Sequence, residues 1–109
     1  METPLPKKNV RGSTLGVGIM AAFDLLGTKW NMRILWELRS KPMSFRGIQS
    51  QCNGMSPSVL NSRIKQLSEA KLIYTSEKGY QLTELGYSLM QTLDPLRDWA
   101  SSWEDALQQ

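Results

Sequence analysis

The amino-acid sequence predicts a mainly α-helical fold with a small β-hairpin, a winged helix-turn-helix flanked by N- and C-terminal dimerisation helices. Two helical patterns separated by a tight turn at Asn53-Gly54 predict the helix-turn-helix. Two short strand patterns around Lys78-Gly79 predict the hairpin, or wing. Leucines and tryptophans recur every three or four positions over residues 85–107, which predicts further helix at the C-terminal end.

Length and composition place limits on the kind of protein. A chain of 109 residues is expected to form one domain. No apolar run approaches the ~20 residues that a membrane span needs, and the first residues lack the apolar segment of a signal peptide. Its one cysteine, Cys52, fits a reducing compartment. We therefore expect a cytoplasmic protein that does not contact a membrane.

The charge is unevenly distributed along the chain. The net charge of +3 is the sum of +5 over residues 1–50, +2 over residues 51–82 and −4 over residues 83–109. A basic front and an acidic end favour contact of one part with a polyanion, although chance scatter of solvated charges would also give such a pattern. We expect residues 1–14 to be a flexible basic arm and residues 15–109 to be the folded domain.

Two helices are predicted ahead of the helix-turn-helix. Apolar residues predict a first helix that begins near Ile19 and that Gly27 ends. Thr28 is then a suitable N-cap for a helix over residues 29–39 with a buried apolar stripe. Lys41-Pro42 should end that helix, because proline disfavours helical geometry in the residue before it.

The helix-turn-helix is the most informative stretch. Ser44 should cap a short helix that ends at Gln49 or Ser50, and Asn53-Gly54 supplies a turn. Ser56-Pro57 is a strong helix start, a hydroxyl cap followed by proline at the first helical position. This helix should run to about Ala70. Its inward stripe is Leu60, Ile64 and Leu67, and its outer face is Ser58, Ser62, Lys65 and Glu69, flanked by Asn61 and Gln66.

The rest of the chain should form the wing and the C-terminal helices. Residues 72–75 and 80–82 are the predicted strands, joined by a loop over residues 76–79. Thr83 can cap helical structure that continues over about residues 83–108. Pro95 interrupts it, so either two helices or one kinked helix is expected.

The outer face of the second motif helix is suited to the major groove of double-stranded DNA. Short polar side chains approach base edges, asparagine can pair with adenine, and lysine can contact guanine or phosphate. The predicted DNA contacts on this helix are Ser56, Ser58, Asn61, Ser62 and Lys65. Arg46, Arg63 and Lys78 are better placed for phosphates. A merely solvated helix face is the alternative, and for Arg63 an internal structural pairing is equally open.

The C-terminal leucines and tryptophans predict a packing seam between two copies of the chain. Leu89, Leu93, Leu96, Trp99 and Trp103 are the predicted interface residues. An ordinary intramolecular core is the alternative.

Catalysis is not expected: the sequence has no histidine, glycine-rich phosphate loop, paired-cysteine metal spacing or nucleophile elbow. We expect no metal and no cofactor, and the sequence does not identify a small-molecule effector. A winged-helix module that binds only protein is the alternative function.

Several sequence blocks, in this order, resemble the HxlR-type winged-helix regulators. The blocks are residues 25–30 (Leu-Leu-Gly-Thr-Lys-Trp), 34–38, 45–48, 55–56, Leu60, 63–67 and 82–86 (Leu-Thr-Glu-Leu-Gly). Trp99 also falls where the family often carries a tryptophan in its last helix, so the resemblance covers about residues 20–99. The resemblance implies a bacterial or archaeal homodimeric transcription factor that places the second motif helix in the major groove and the hairpin at the minor groove or backbone. It also implies that the first and last helices pack together, which adds Ile19 and Phe23 to the predicted interface.

The sequence departs from the family pattern at three places. Many members carry a sensor cysteine about a dozen residues before the Lys-Trp pair, where this chain has Gly16-Val17-Gly18. Ser44 stands where a basic residue commonly precedes the phenylalanine, and the wing is shorter than usual. These departures imply that thiol sensing does not follow the usual route and that the wing contributes less to DNA binding.

Overall fold

The computed structural model describes residues 3–5 and 18–109, which form six helices and one hairpin in those ranges. The elements in chain order are α1 (Gly18–Leu26), α2 (Asn31–Leu38), α3 (Phe45–Gln51), α4 (Pro57–Glu69), β1 (Ile73–Ser76), β2 (Gly79–Leu82), α5 (Glu84–Leu93) and α6 (Leu96–Leu107). The predicted winged helix-turn-helix is confirmed. At Pro95 the chain forms two helices rather than one kinked helix.

Helix α2 lies at the centre of the core. Its Ile34, Leu35 and Leu38 side chains are completely buried, as expected from their spacing. They share one apolar cluster with Ile48 of α3, the α4 residues Leu60 and Leu67, the β-strand residues Ile73 and Leu82, and Met90 of α5. One face of each motif helix is therefore buried against a common core, which fixes the orientation of the opposite face.

The predicted start of α2 is wrong by two residues. The helix begins at Asn31, and Trp30 before it adopts the left-handed backbone conformation with φ of 81°. Thr28 does not cap α2, because its hydroxyl donates to the Asp24 carbonyl of α1 at 2.9 Å. The residues between α1 and α2 thus form a turn, and the Asn31 side chain closes it by donating to the Leu25 carbonyl at 2.8 Å.

Helix α4 has a wider buried arc than its leucine stripe predicts. Gln66, expected on the flank of the outer face, is 3% exposed. Val59, Arg63 and Ala70 recur with it at helical spacing and are half-buried, so the rest of the fold covers this whole side of the helix. At the C-terminal end, Lys71 takes a left-handed conformation with φ of 62°, a position usually held by glycine.

The loop that connects the two strands of the wing is shorter than the four residues predicted. Ser76 pairs with Gly79, so only Glu77 and Lys78 connect the antiparallel strands. The Ser76 hydroxyl donates to the Gly79 carbonyl (3.0 Å) and accepts from the Lys78 amide (3.2 Å). Gly79 has a φ of 113°, which a side chain would oppose. These contacts explain why the strands extend further than their apolar pattern indicates.

Backbone pairing also ties the wing to the helix-turn-helix. Met43, two residues before α3, exchanges two backbone hydrogen bonds with Tyr80 of β2, at 2.8 and 3.0 Å. The residues before α3 thereby become a short third partner of the hairpin. The wing consequently keeps a fixed position beside the two motif helices.

Most of the predicted N-terminal arm lies outside the described residues. Residues 3–5 are described, and Thr3 is buried with its hydroxyl donating to the Glu69 carboxylate at the end of α4 (2.8 Å). Pro4 and Leu5 line an apolar groove of about 340 Å³ between α1 and α5. The first described residues therefore lie against the domain, whereas the expectation for residues 6–14 is left as a prediction.

Candidate nucleic-acid interface

The two motif helices begin at the caps that the sequence predicts. The Ser44 hydroxyl accepts from the Gly47 amide (3.0 Å), and the Ser56 hydroxyl accepts from the Val59 amide (3.2 Å). Pro57 occupies the first turn of α4, and Gly54 in the connecting turn has a φ of 95°. Each cap satisfies an amide that the helix leaves unpaired, so the first turn of α4 is held rigidly where it faces outward.

A continuous polar face lies along α4. Ser58, Asn61, Ser62 and Lys65 are all exposed, and their spacing of three and four residues places them on one side of the helix. Among the described residues, Asn61 and Lys65 have no hydrogen-bond or ion-pair partner, so both side chains are available to a ligand. We call these four residues the reading face. Ser56, also predicted to contact DNA, is exposed at the edge of this face, but its hydroxyl already caps the helix.

The three predicted phosphate contacts differ in their surroundings. Arg46 on α3 and Lys78 at the tip of the wing are exposed, and neither forms an ion pair with any other described residue. Lys78 stands beside Glu77, so the wing tip carries no net charge. Because its tip is neutral overall, the wing can make only a modest electrostatic contribution to DNA binding.

Arg63 makes the internal pairing that the sequence left open. Its Nε donates to the Lys29 carbonyl at 2.7 Å, and one terminal nitrogen donates to the Ser62 hydroxyl at 3.3 Å. The sequence gives no signal for the first of these bonds. The orientation of the Lys29 carbonyl depends on the positive φ of Trp30, and tryptophan is not a residue that predicts such a conformation.

Exposed apolar side chains concentrate on α1 and α6. Helix α6 has no buried residue, and Trp99 and Trp103 stack on its surface with ring centroids 5.5 Å apart. Phe23 on α1 is 60% exposed and Trp99 is 58% exposed. The predicted interface residues Ile19, Phe23, Leu96, Trp99 and Trp103 are all exposed, whereas Leu89 and Leu93 are half-buried against the chain's own core. Leu107, outside that predicted set, extends the exposed surface.

Cys52 lies at the end of α3 with its side chain buried. Burial raises the pKa of its thiol above the ordinary value, the nearby Arg33 charge lowers it, and Glu37 raises it further. The thiol is therefore protonated at neutral pH and is a weak nucleophile.

Residues 3–5 and 18–109 contain no cluster of histidine, cysteine or carboxylate side chains that could hold a metal ion. Within the same ranges, no helix is long and apolar enough to cross a membrane.

Comparisons with known proteins agree with this geometry. The family model of the HxlR-like helix-turn-helix matches residues 25–108, from the end of α1 through α6. The chain belongs to the HxlR-like helix-turn-helix family. It is thus a DNA-binding transcription regulator of winged helix-turn-helix fold, and the reading face lies on the second helix of the motif that gives the family its name.

Individual relatives in the family cover most of the chain. The HTH-type transcriptional regulator YdzF of Bacillus subtilis is 32% identical over 84 residues, which are 73% of this chain and 77% of the relative. The structure of quinone-bound YodB from Bacillus subtilis has a TM-score of 0.72 and 30% identity, covering 77% of this chain and 96% of that one. A possible HxlR family transcriptional factor from Thermoplasma volcanium has a TM-score of 0.67 and 32% identity, covering 77% and 82%.

Proposed function

We propose that this HxlR-like protein regulates transcription as a homodimer that inserts α4 of each protomer into the major groove of double-stranded DNA. The observation that supports the proposal is the reading face, whose exposed amide, hydroxyls and ammonium stand on a helix held by a capped first turn and a buried opposite side. Asn61 would recognise a base edge, and Lys65 a guanine or a phosphate. Ser58 and Ser62, with their short side chains, would contact the DNA beside Asn61 and Lys65.

Phosphate contacts would position the protein without reading sequence. Arg46 and Lys78 are the cations proposed for this role, at two edges of the motif. The short wing would touch the backbone or the minor groove only at its tip. The proposal assigns the protein to the cytoplasm of a prokaryote and gives it no catalytic role.

Dimerisation through α1 and α6 completes the proposal. An amphipathic helix without a single buried residue gains little from its own chain, and a second copy would cover its tryptophans. Two-fold symmetry would then present two reading faces to successive major grooves, about 34 Å apart along the DNA. Such a dimer would bind a nearly palindromic site.

Selection of duplexes from a random pool, followed by fluorescence anisotropy on the selected site, tests the reading face. We expect Asn61→Ala to weaken binding to that site by about 10- to 100-fold, the typical value of one good base contact. Lys65→Ala should weaken it too, and should lower the slope of log affinity against log salt by about 0.9 if Lys65 meets a phosphate. Gln91→Ala on the exposed surface of α5 is the matched control and should bind like the wild type.

Wild-type affinity in both α4 variants would remove the proposed reading face. Failure of the wild type to enrich any duplex over random DNA would instead favour the protein-interaction module. Circular dichroism of each variant separates loss of contact from loss of fold.

A further inference from the structure

Arg63 differs from the other cations of the motif in what its guanidinium contacts. The side chain is half-buried and reaches from α4 to the turn between α1 and α2, where Nε donates to the Lys29 carbonyl at 2.7 Å. A terminal nitrogen of the same group donates to the Ser62 hydroxyl at 3.3 Å. One planar guanidinium therefore joins a backbone carbonyl outside the motif to a hydroxyl of the reading face.

The acceptor on the turn has a fixed orientation. Trp30 holds a φ of 81°, which sets the direction of the peptide between Lys29 and Trp30. The turn is closed on both sides, since the Gly27 amide donates to the Phe23 carbonyl (2.8 Å) and the Asn31 side chain donates to the Leu25 carbonyl (2.8 Å). A strained backbone that its surroundings hold in place is a common feature of functional sites.

The same turn directly follows α1, one of the two helices of the proposed dimer interface. Phe23, whose carbonyl anchors the turn, presents its exposed ring on α1. The path from the dimer surface to the reading face thus has few links: α1, the turn, the Arg63 guanidinium and α4. Apart from the Thr3–Glu69 hydrogen bond at the far end of the helix and the buried Gln66, α4 packs on the core through apolar side chains. Such packing allows small rotations more readily than a charged, directional bond does.

We infer that Arg63 is a positioning residue that holds α4 at a fixed angle to α1 through the Lys29 carbonyl, and that it makes no phosphate contact. The inference rests on the proposed function, because the angle it sets is that of the reading face. Its consequence for DNA binding is selectivity: a rotated reading face still meets phosphates but misses base edges. Specific affinity should therefore fall more than affinity for random duplex.

The salt dependence of binding separates positioning from phosphate contact. Arg63→Gln should lower the ratio of specific to random-duplex affinity by about five- to tenfold, which lies within the roughly 2- to 30-fold effects of coupling residues, and should leave the salt slope unchanged. Arg46→Gln is the matched control, an identical change at an exposed arginine, and should lower the slope by about 0.9 at nearly constant ratio. A fall of about one in the Arg63→Gln slope, or an unchanged ratio, would overturn the inference.

Arg63→Lys gives a second test that does not depend on loss of charge. A lysine keeps the charge but lacks the planar fork that reaches both acceptors, so we expect a loss of selectivity of about threefold or more at the wild-type slope. Full wild-type selectivity in Arg63→Lys would show that charge alone suffices and would overturn the inference.

Amide hydrogen exchange tests the link without DNA. The Asn31 amide, which donates to the Thr28 carbonyl (3.1 Å), should exchange about tenfold faster in Arg63→Gln, because breaking the bond releases the turn to open locally. The Cys52 amide, bonded to the Ile48 carbonyl (2.9 Å), should not change. Unchanged exchange at Asn31 would contradict the link even if DNA binding were specific. If wild-type protein bound no duplex specifically, the proposed function would fail while this measurement still decided the contact.

Discussion

At the scale of single residues, some polar side chains of the motif have no partner among the described residues, and others are bonded within the chain. Asn61 and Lys65 project from α4 with no described partner, whereas Ser56 and Arg63 use their polar atoms within the chain. The sequence predicted all four as DNA contacts, but it also identified Ser56 as the cap of the helix and left an internal pairing open for Arg63. The distinction is geometric, because a hydroxyl that caps a helix or a guanidinium that holds a turn has fewer donors left for DNA.

The buried environment of Cys52 predicts that its thiol reacts slowly. Because burial raises the pKa of its thiol, iodoacetamide at pH 8 should modify it at least about tenfold more slowly in the native protein than in denaturant. The same shift affects stability. The unfolded chain loses this proton at lower pH than the native chain, so the contribution of Cys52 is present below the ordinary thiol pKa and is lost as pH rises through the raised one.

Rates of modification followed by mass spectrometry across pH 7 to 10 would check this. Cys52→Ser supplies the blank for reaction at other groups. Equal rates in native and unfolded protein would show that the thiol is accessible and would contradict the burial seen here.

At the scale of elements, capping and strand pairing hold α4 and the wing in place. Helix α4 is fixed at its first turn by Ser56 and at its end by the left-handed Lys71, while the bridge between Met43 and Tyr80 fixes the wing. These local bonds act together with burial of one side of α4, since a 13-residue helix is marginal in isolation.

The cap of α4 can be tested separately from the reading face. Ser56→Ala should lower the free energy of unfolding by about 1 kcal/mol, because the Val59 amide loses its acceptor. Ser68→Ala, near the other end of the same helix, removes an exposed hydroxyl that has no hydrogen-bond partner among the described residues and should cost less than about 0.5 kcal/mol. Urea denaturation of the two variants measures the difference. Equal losses would mean that the cap does not stabilise α4.

At the scale of the whole molecule, the exposed apolar surface of α1 and α6 predicts self-association. We expect light scattering to give the mass of a dimer at micromolar concentration, because Trp99 and Trp103 are the kind of side chains that dominate interfaces. Replacing both with serine should weaken the dimer by about a hundredfold or more and reduce DNA affinity with it.

Tyr74→Ser is the control for this experiment. Tyr74 is also an exposed aromatic residue, but it lies on β1 of the wing, away from α6, and its loss should leave the dimer intact. A wild-type protein that stayed monomeric at micromolar concentration would contradict the proposed interface.

Prediction from the sequence succeeded where the signal was local. Ser44, Ser56-Pro57 and Thr83 each cap a helix as expected, since a cap needs only a hydroxyl and an amide three residues later. In the predicted stripes, Ile34, Leu35 and Leu38 of α2 and Leu60 and Leu67 of α4 are buried, and Ile64 is half-buried against the same core, because helix periodicity places them on one side. Prediction failed at Thr28, whose hydroxyl bonds back to the Asp24 carbonyl of α1, and at the wing loop, where Ser76 and Gly79 pair. It also failed at Gln66, which is buried although its spacing placed it beside the outer face.

The fold class, the order of the elements and the outer residues of α4 follow from the amino-acid sequence, because helix periodicity, caps and turn residues act over a few positions. The folded chain was needed to learn that Arg63 contacts the turn at Lys29, that Gln66 is buried, and that Glu77 and Lys78 alone connect the two strands. Each outcome depends on geometry that helix periodicity does not specify. The acceptor of Arg63 is 34 residues away in the chain, so only folding brings the two together. Gln66 is buried by the segments that pack on α4, although its side-chain oxygen has no partner among the described residues. The loop length follows from the register of the two strands and from the bonds of Ser76.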